Sequence, residues 1–173
     1  LVACGDYDEI DIRIPVPVTL TAETPRCVTL DAGGASAAIL TLEDVAGETR
    51  IQGLRFVGVD SASRPTVEVA NSDCVFESCD FTGNRIHDSS RAALFVFSSR
   101  VTLVGCRISD NVQTRSGAAG VRINSADGAL LSDCLFEFNQ AGAGYAFALG
   151  GALRAASFTR LEDCTFRGNT SNH

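Results

Sequence analysis

The sequence contains no lysine, methionine or tryptophan, and only two tyrosines, two histidines and four prolines. No apolar run approaches the ~18 to 20 residues that a membrane-spanning helix needs, so no span is expected in this segment. A basic stripe is missing too: all 14 cationic residues are arginine and the net charge is −7, which argues against a nucleic-acid partner. None of the seven cysteines forms a C-x-x-C pair, which removes the usual zinc and redox readings, and there is no G-G-x-G-x-D calcium repeat. Neither metal nor cofactor is expected. There is no initial methionine, charged leader region or cleavage motif, so Leu1 is read as following a removed signal peptide or as the start of a fragment. What remains, 173 residues of which 45% are hydrophobic and 20% charged, suits one folded domain.

What is present is a repeat. Cys79-x-Phe81-x-x-Asn84, Cys106-x-Ile108-x-x-Asn111, Cys134-x-Phe136-x-x-Asn139 and Cys164-x-Phe166-x-x-Asn169 are one motif written four times, its cysteines 27, 28 and 30 residues apart. Two further alternations recur in each period. One is Cys74/Phe76, Val101/Leu103, Ala129/Leu131 and Thr159/Leu161; the other is Val67/Val69, Leu94/Val96, Val121/Ile123 and Leu153/Ala155. The pattern weakens upstream, where Ile51, Leu54, Phe56 and Val59 take the places of Phe76, Cys79, Phe81 and Asn84.

Three short strands per period, with no helical stripe, predict an all-β, right-handed parallel β-helix of about five to six coils. Residues 1–27 are read as a first turn or N-terminal cap and 28–173 as regular coils. A single coil cannot bury its inward side chains, so the Cys, Phe/Ile and Asn columns must stack on their copies ~4.8 Å away. Asn84, Asn111, Asn139 and Asn169 are expected at sharp bends, tolerating left-handed backbone and bonding from coil to coil. Asn169 also opens the acceptor sequon Asn169-Thr170-Ser171, but its ladder position points it inward. Cys79, Cys106, Cys134 and Cys164 read as buried free thiols, because side chains on adjacent strands run parallel and suit a disulfide poorly. Cys4 and Cys27, expected before the first coils and off that column, are a candidate disulfide. The last coil has no polar cap before His173, which reads as a piece of a larger protein.

The Phe-x-x-Asn motifs, with Gly150-Gly151-Ala152-Leu153 ahead of the last, resemble the GG-A-[IL] and F-x-x-N repeats of the polymorphic outer-membrane protein family. The segment from Gly5-Asp6-Tyr7-Asp8-Glu9-Ile10 to Gly33-Gly34 is similar to the first coils of many right-handed β-helix proteins. The Gly-Gly half occurs once, and Ile108 replaces one phenylalanine. The resemblance implies surface display and an adhesive or structural role. Its implied partners are other segments of the same large protein or neighbouring surface proteins, and its implied location is extracellular or on the cell surface, a ciliary surface included. It carries over no catalytic residues.

The fold also hosts polysaccharide enzymes, and their chemistry needs convergent carboxylates. The outward positions are instead Asp80, Arg107, Leu135 and Thr165; Glu68, Phe95, Arg122 and Arg154; and Val75, Thr102, Leu130 and Arg160, with no stacked acids. His87 reads as a solvated loop residue. Variable length collects after each Asn, at 85–92, 112–119 and 140–151, and such an edge is a candidate binding edge. Asp88, Arg91, Arg115, Tyr145 and Phe147 are the candidate contacts there, with a polysaccharide as the alternative ligand.

Overall fold

The computed structural model describes residues 1–115, 117–142, 151–155 and 158–171. Tyr145 and Phe147 lie outside the described residues. Within them the chain winds as a right-handed parallel β-helix of about six turns. Sheet I has seven strands, from Gly5–Tyr7 to Thr165–Arg167; sheet II has six, from Ile12–Ile14 to Leu153–Ala155. Sheet III also has six, from Thr19–Thr21 to Thr159–Glu162. A fourth sheet, five two-residue strands from Asp60–Ser61 to Thr170–Ser171, follows sheet I in each later turn and was not expected. The segments read as loops after each Asn therefore begin as strand, at Arg85–Ile86, Val112–Gln113 and Gln140–Ala141.

Register follows the repeat. Phe81 faces Phe56 on one side and Ile108 on the other, and Ile108 faces Phe136, which faces Phe166. A parallel ladder puts equivalent residues of successive turns one strand apart, so the inward positions become continuous columns. Phe56 and Phe81 stack at 5.2 Å between centroids and Phe136 and Phe166 at 4.6 Å, while Phe76 meets Phe81 edge-on at 5.4 Å. Burying a ring as fully as Phe56, Phe76, Phe81 and Phe136 are buried stabilises the stack by about 1.5–3 kcal/mol. Residues 1–27 form a first turn whose strands pair with the next: Gly5–Tyr7 with Val28–Leu30, Ile12–Ile14 with Leu40–Leu42, and Thr19–Thr21 with Arg50–Gln52.

The corners explain how so short a period closes. Between sheets III and I a single residue adopts left-handed backbone, at Gly53, Ser78, Gly105, Asp133 and Asp163. Between sheets I and IV the left-handed residue is Gly58, Gly83, Asp110, Phe138 or Gly168, one before each Asn position. This corrects the expectation for the asparagines: their backbone is ordinary, and the bend is made by the preceding residue. Gly151 is glycine of necessity, since its φ is 77° and an added Cβ would lie 2.6 Å from the Thr170 carbonyl oxygen.

Candidate functional site

The asparagine column is a directional ladder. Each Oδ1 accepts the backbone N–H and the Nδ2 of the Asn one turn earlier, and each Nδ2 also donates to a sheet I carbonyl of the earlier turn. Asn84 begins it, accepting from Val59 N–H at 3.2 Å. Asn169 Nδ2 donates to Phe136 O at 2.8 Å, so the nitrogen a glycan would need is committed to the ladder. A serine ladder, unnoticed in the sequence, does the same between sheets II and III: Val45 N–H bonds Ser72 Oγ, Ser72 N–H bonds Ser99 Oγ, and Ser99 N–H bonds Ser125 Oγ at 2.9–3.0 Å.

Cys79, Cys106, Cys134 and Cys164 are stacked free thiols, each bonding a carbonyl of the preceding turn at 3.3–3.6 Å. Burial pushes the Cys74 thiol far above its ordinary value. Contacts with the Cys134 and Cys79 thiols, then burial, push Cys106 upward. Burial raises the Cys79 thiol, but its hydrogen bonds with Cys106 and with the Leu54 and Gly53 backbone outweigh it for a net lowering, and the bond with Cys106 lowers Cys134 despite its burial.

Cys4 and Cys27 are joined by a disulfide, their Cα atoms 4.9 Å apart. They lie off the Cys79 column, but within the first two turns instead of before them. They occupy matching places in the first two turns, just before Gly5 and Val28, and Val28 itself aligns with Leu54 in the Cys79 column. A corner has no strand pleat holding the two side chains parallel, which is why a bridge closes here.

His87 lies on the loop after Arg85–Ile86 and is partly exposed, but both of its ring nitrogens are engaged. Its Nε2 lies 2.6 Å from Asp60 Oδ1 and its Nδ1 2.9 Å from Thr114 Oγ1, bracing three successive turns. Hydroxyl, imidazole and carboxylate in this order have the connectivity of a nucleophile relay. The N–H groups that could stabilise an oxyanion at Thr114 are already used, however: its own by Ile86 O, and that of Arg115 by Gln113 Oε1.

The outward carboxylates are held by arginines. Asp80 faces Arg26 at 2.8 Å and Arg55 at 3.7 Å. Glu137, 2% exposed, has one oxygen on Arg107 at 2.7 Å and the other on Arg167 at 2.5 Å. The hydrogen bond from Arg167, then that from Arg107, outweigh burial and hold its carboxyl below its ordinary value. Glu68 is paired with Arg64 at 3.2 Å and Arg91 at 3.7 Å.

The candidate contact loop folds back onto sheet II. The Arg91 guanidinium sits 4.2 Å over the Phe95 ring. Asp88 Oδ1 accepts from the N–H and hydroxyl of Ser90. Burial raises its carboxyl, but those bonds and the charges of Arg91 and Arg115 outweigh it, for a net lowering. Gln113 Nε2 donates to the carbonyls of Asp88 and Arg91, and Arg122 donates to Ser89 O at 2.7 Å. Asp88, Arg91 and Arg115 are thereby brought into one neighbourhood.

Beside this loop, on the outer face of sheet II, lies a groove of about 450 Å³ lined by Glu68, Arg91, Phe95, Phe97, Arg122 and Asn124 among others. Sequence reasoning assigned no role to Phe97 or Asn124, which alternate outward with Phe95 and Arg122. Burial, then the charges of Arg154 and Arg91, lower the Arg122 guanidinium below its ordinary value. A second groove, about 380 Å³, lies on sheet I between Arg26, Arg107 and Arg167. Among the described residues no cluster of His, Cys, Asp and Glu could hold a metal ion, and no helix is long and apolar enough to cross a membrane.

Comparison with curated proteins and with solved structures returns no match. The family model described as "Right handed beta helix region" matches residues 44–173, the turns that carry the asparagine and cysteine columns, and the chain belongs to that family.

Proposed function

We propose that the chain is a non-catalytic extracellular scaffold or adhesion segment of a large surface protein, mediating protein–protein or surface contacts. The observation that carries this reading is the pairing of Asp80, Glu68 and Glu137, the low-exposure outward carboxylates, with two arginines each. A carboxylate clamped in this way braces neighbouring turns and is a poor proton carrier. The Phe-x-x-Asn repeats, which resemble those of polymorphic outer-membrane proteins, support display at a surface. The contacts in this reading are other segments of the same protein or neighbouring surface proteins. An antibody raised against the chain should label intact, unpermeabilised cells; labelling only after permeabilisation overturns the reading.

A second reading, a polysaccharide-active or carbohydrate-binding β-helix of the pectin-lyase-like class, is favoured by the sheet II groove beside Asp88, Arg91 and Arg115. Incubation with acidic and neutral polysaccharides should release neither reducing ends nor unsaturated products. Release that disappears in Asp88→Ala or Arg115→Ala replaces the first reading by an enzymatic one.

A further inference from the structure

The outer face of sheet II carries opposite charge at its two ends. Arg122 and Arg154 are register partners on adjacent strands, and like charges directly opposite each other destabilise a sheet. Neither lies within ion-pair distance of a carboxylate among the described residues. Glu68 is taken by Arg64 and Arg91, and Asp88, whose charge reaches Arg122, is shared with Arg91 and Arg115. At the other end Glu43 is exposed and has no ion-pair partner among the described residues, while the arginine on the first strand, Arg13, is paired with Asp11. The whole net charge of −7 sits in residues 1–48, which hold nine acids and two arginines; the rest is balanced at twelve of each.

Midway between these ends lies Phe97, 43% exposed, two strands after Glu43 and two strands before Arg154, with Ala70 and Asn124 on either side. Such a strip is complementary to itself reversed. A two-fold axis along the Phe97 strand turns a second copy antiparallel and face on. It lays Phe97 on its own equivalent, sets Ala70 opposite Asn124 of the other copy, and brings Glu43 level with Arg154 of the other copy and one turn from Arg122. The lateral offset, one outward position or ~6.6–6.8 Å, is within the reach of an arginine side chain. A parallel arrangement sets arginines level with arginines and Glu43 level with Glu43, so charge selects the antiparallel one.

We propose that a second copy of this chain docks antiparallel on the outer face of sheet II, Glu43 of each copy pairing with Arg122 and Arg154 of the other around a central pair of Phe97 rings. The contact is isologous, so it closes at two copies. Five strands at ~4.8 Å spacing make a strip ~19 Å long and two outward positions wide, small for a specific interface, so the dimer is weak and salt-sensitive. The inference goes beyond the surface-contact reading and fails separately from it: cell labelling reports the location, sedimentation reports the association.

The test is sedimentation equilibrium of the 173-residue chain over a range of concentration and salt. A monomer–dimer equilibrium with a Kd between ~10 μM and ~1 mM at low salt is expected, weakening as salt is raised. Glu43→Arg and Arg154→Glu should each weaken it about tenfold, because the two-fold axis repeats every lost pair and like charges then meet. Mixed with each other, these two variants should associate about as tightly as the unaltered chain, since each altered position again meets the opposite charge. Arg160→Glu, on sheet III beside Glu162, should leave the dimer unchanged. Each variant is compared only where its thermal midpoint is unchanged, and Phe97→Ala, which alters no charge and should also weaken the dimer, keeps the test open if a charge reversal fails to fold. A chain that stays monomeric up to ~1 mM, a dimer that salt or Glu43→Arg leaves untouched, or a mixture no tighter than either variant alone overturns the proposal.

Discussion

The side-chain carbonyl of Asn139 accepts two hydrogen bonds from Asn111, one from its backbone N–H at 3.3 Å and one from its Nδ2 at 2.9 Å. Asn111 is fully buried and serves Asn84 in the same way, so its side chain satisfies four polar groups at once.

Asn111→Ala should therefore cost about 3–5 kcal/mol, since each buried group left without a partner costs ~1–3 kcal/mol. Asn169→Ala, at a partly exposed position, should cost about 1–2 kcal/mol, because water can reach part of what it uncovers. Urea denaturation of the two variants checks this; equal losses would mean that the ladder is not a buried network.

The Glu137 carboxyl is held below its usual 4.5, first by the hydrogen bond from Arg167 and then by that from Arg107. A carboxylate with a depressed folded value contributes stability that is present above 4.5 and lost as pH falls below it. Glu137→Gln should lower stability by about 2 kcal/mol at neutral pH, less than the ~3–5 of a fully buried pair because the arginines are half exposed. It should also flatten the acid limb of a stability-against-pH curve. An unchanged acid limb would show that the pair contributes nothing.

Cys74 presents the opposite sign. Its thiol is raised in the folded chain above the ordinary 9.0, so its contribution is fully present below pH 9.0 and declines as pH rises beyond it. Such a thiol contributes a decline of about 1.4 kcal/mol per pH unit, so the alkaline limb should be shallower by that amount in Cys74→Ala, with Cys106 supplying a decline of its own. With a disulfide reagent under native conditions, Cys164 should react first, and Cys74, Cys79, Cys106 and Cys134 only on unfolding. Prompt reaction of Cys106 would contradict a closed column.

The columns were legible in the sequence because parallel, in-register stacking copies one residue type at one spacing. Cys79 to Cys164 and Asn84 to Asn169 announce themselves without any structure. The fourth sheet was not legible, since strands as short as Arg85–Ile86 hold no alternation to detect. Ser72, Ser99 and Ser125 escaped because a serine at a corner is an ordinary turn residue until its hydroxyl is seen to accept the previous turn's N–H. The arginine clamps on Asp80 and Glu137 were hidden for another reason. Outward positions need no matching type, so Arg26 reaches an acid 54 residues away through an unrelated part of the period.

The Cys4–Cys27 bond joins two neighbouring turns covalently. In a solenoid each turn is held mainly by its neighbours, through packing and ladder hydrogen bonds that open reversibly. Between these two turns heat or pulling meets a seam sewn shut, so they part last, and reclosure beside them starts from a seed already in register.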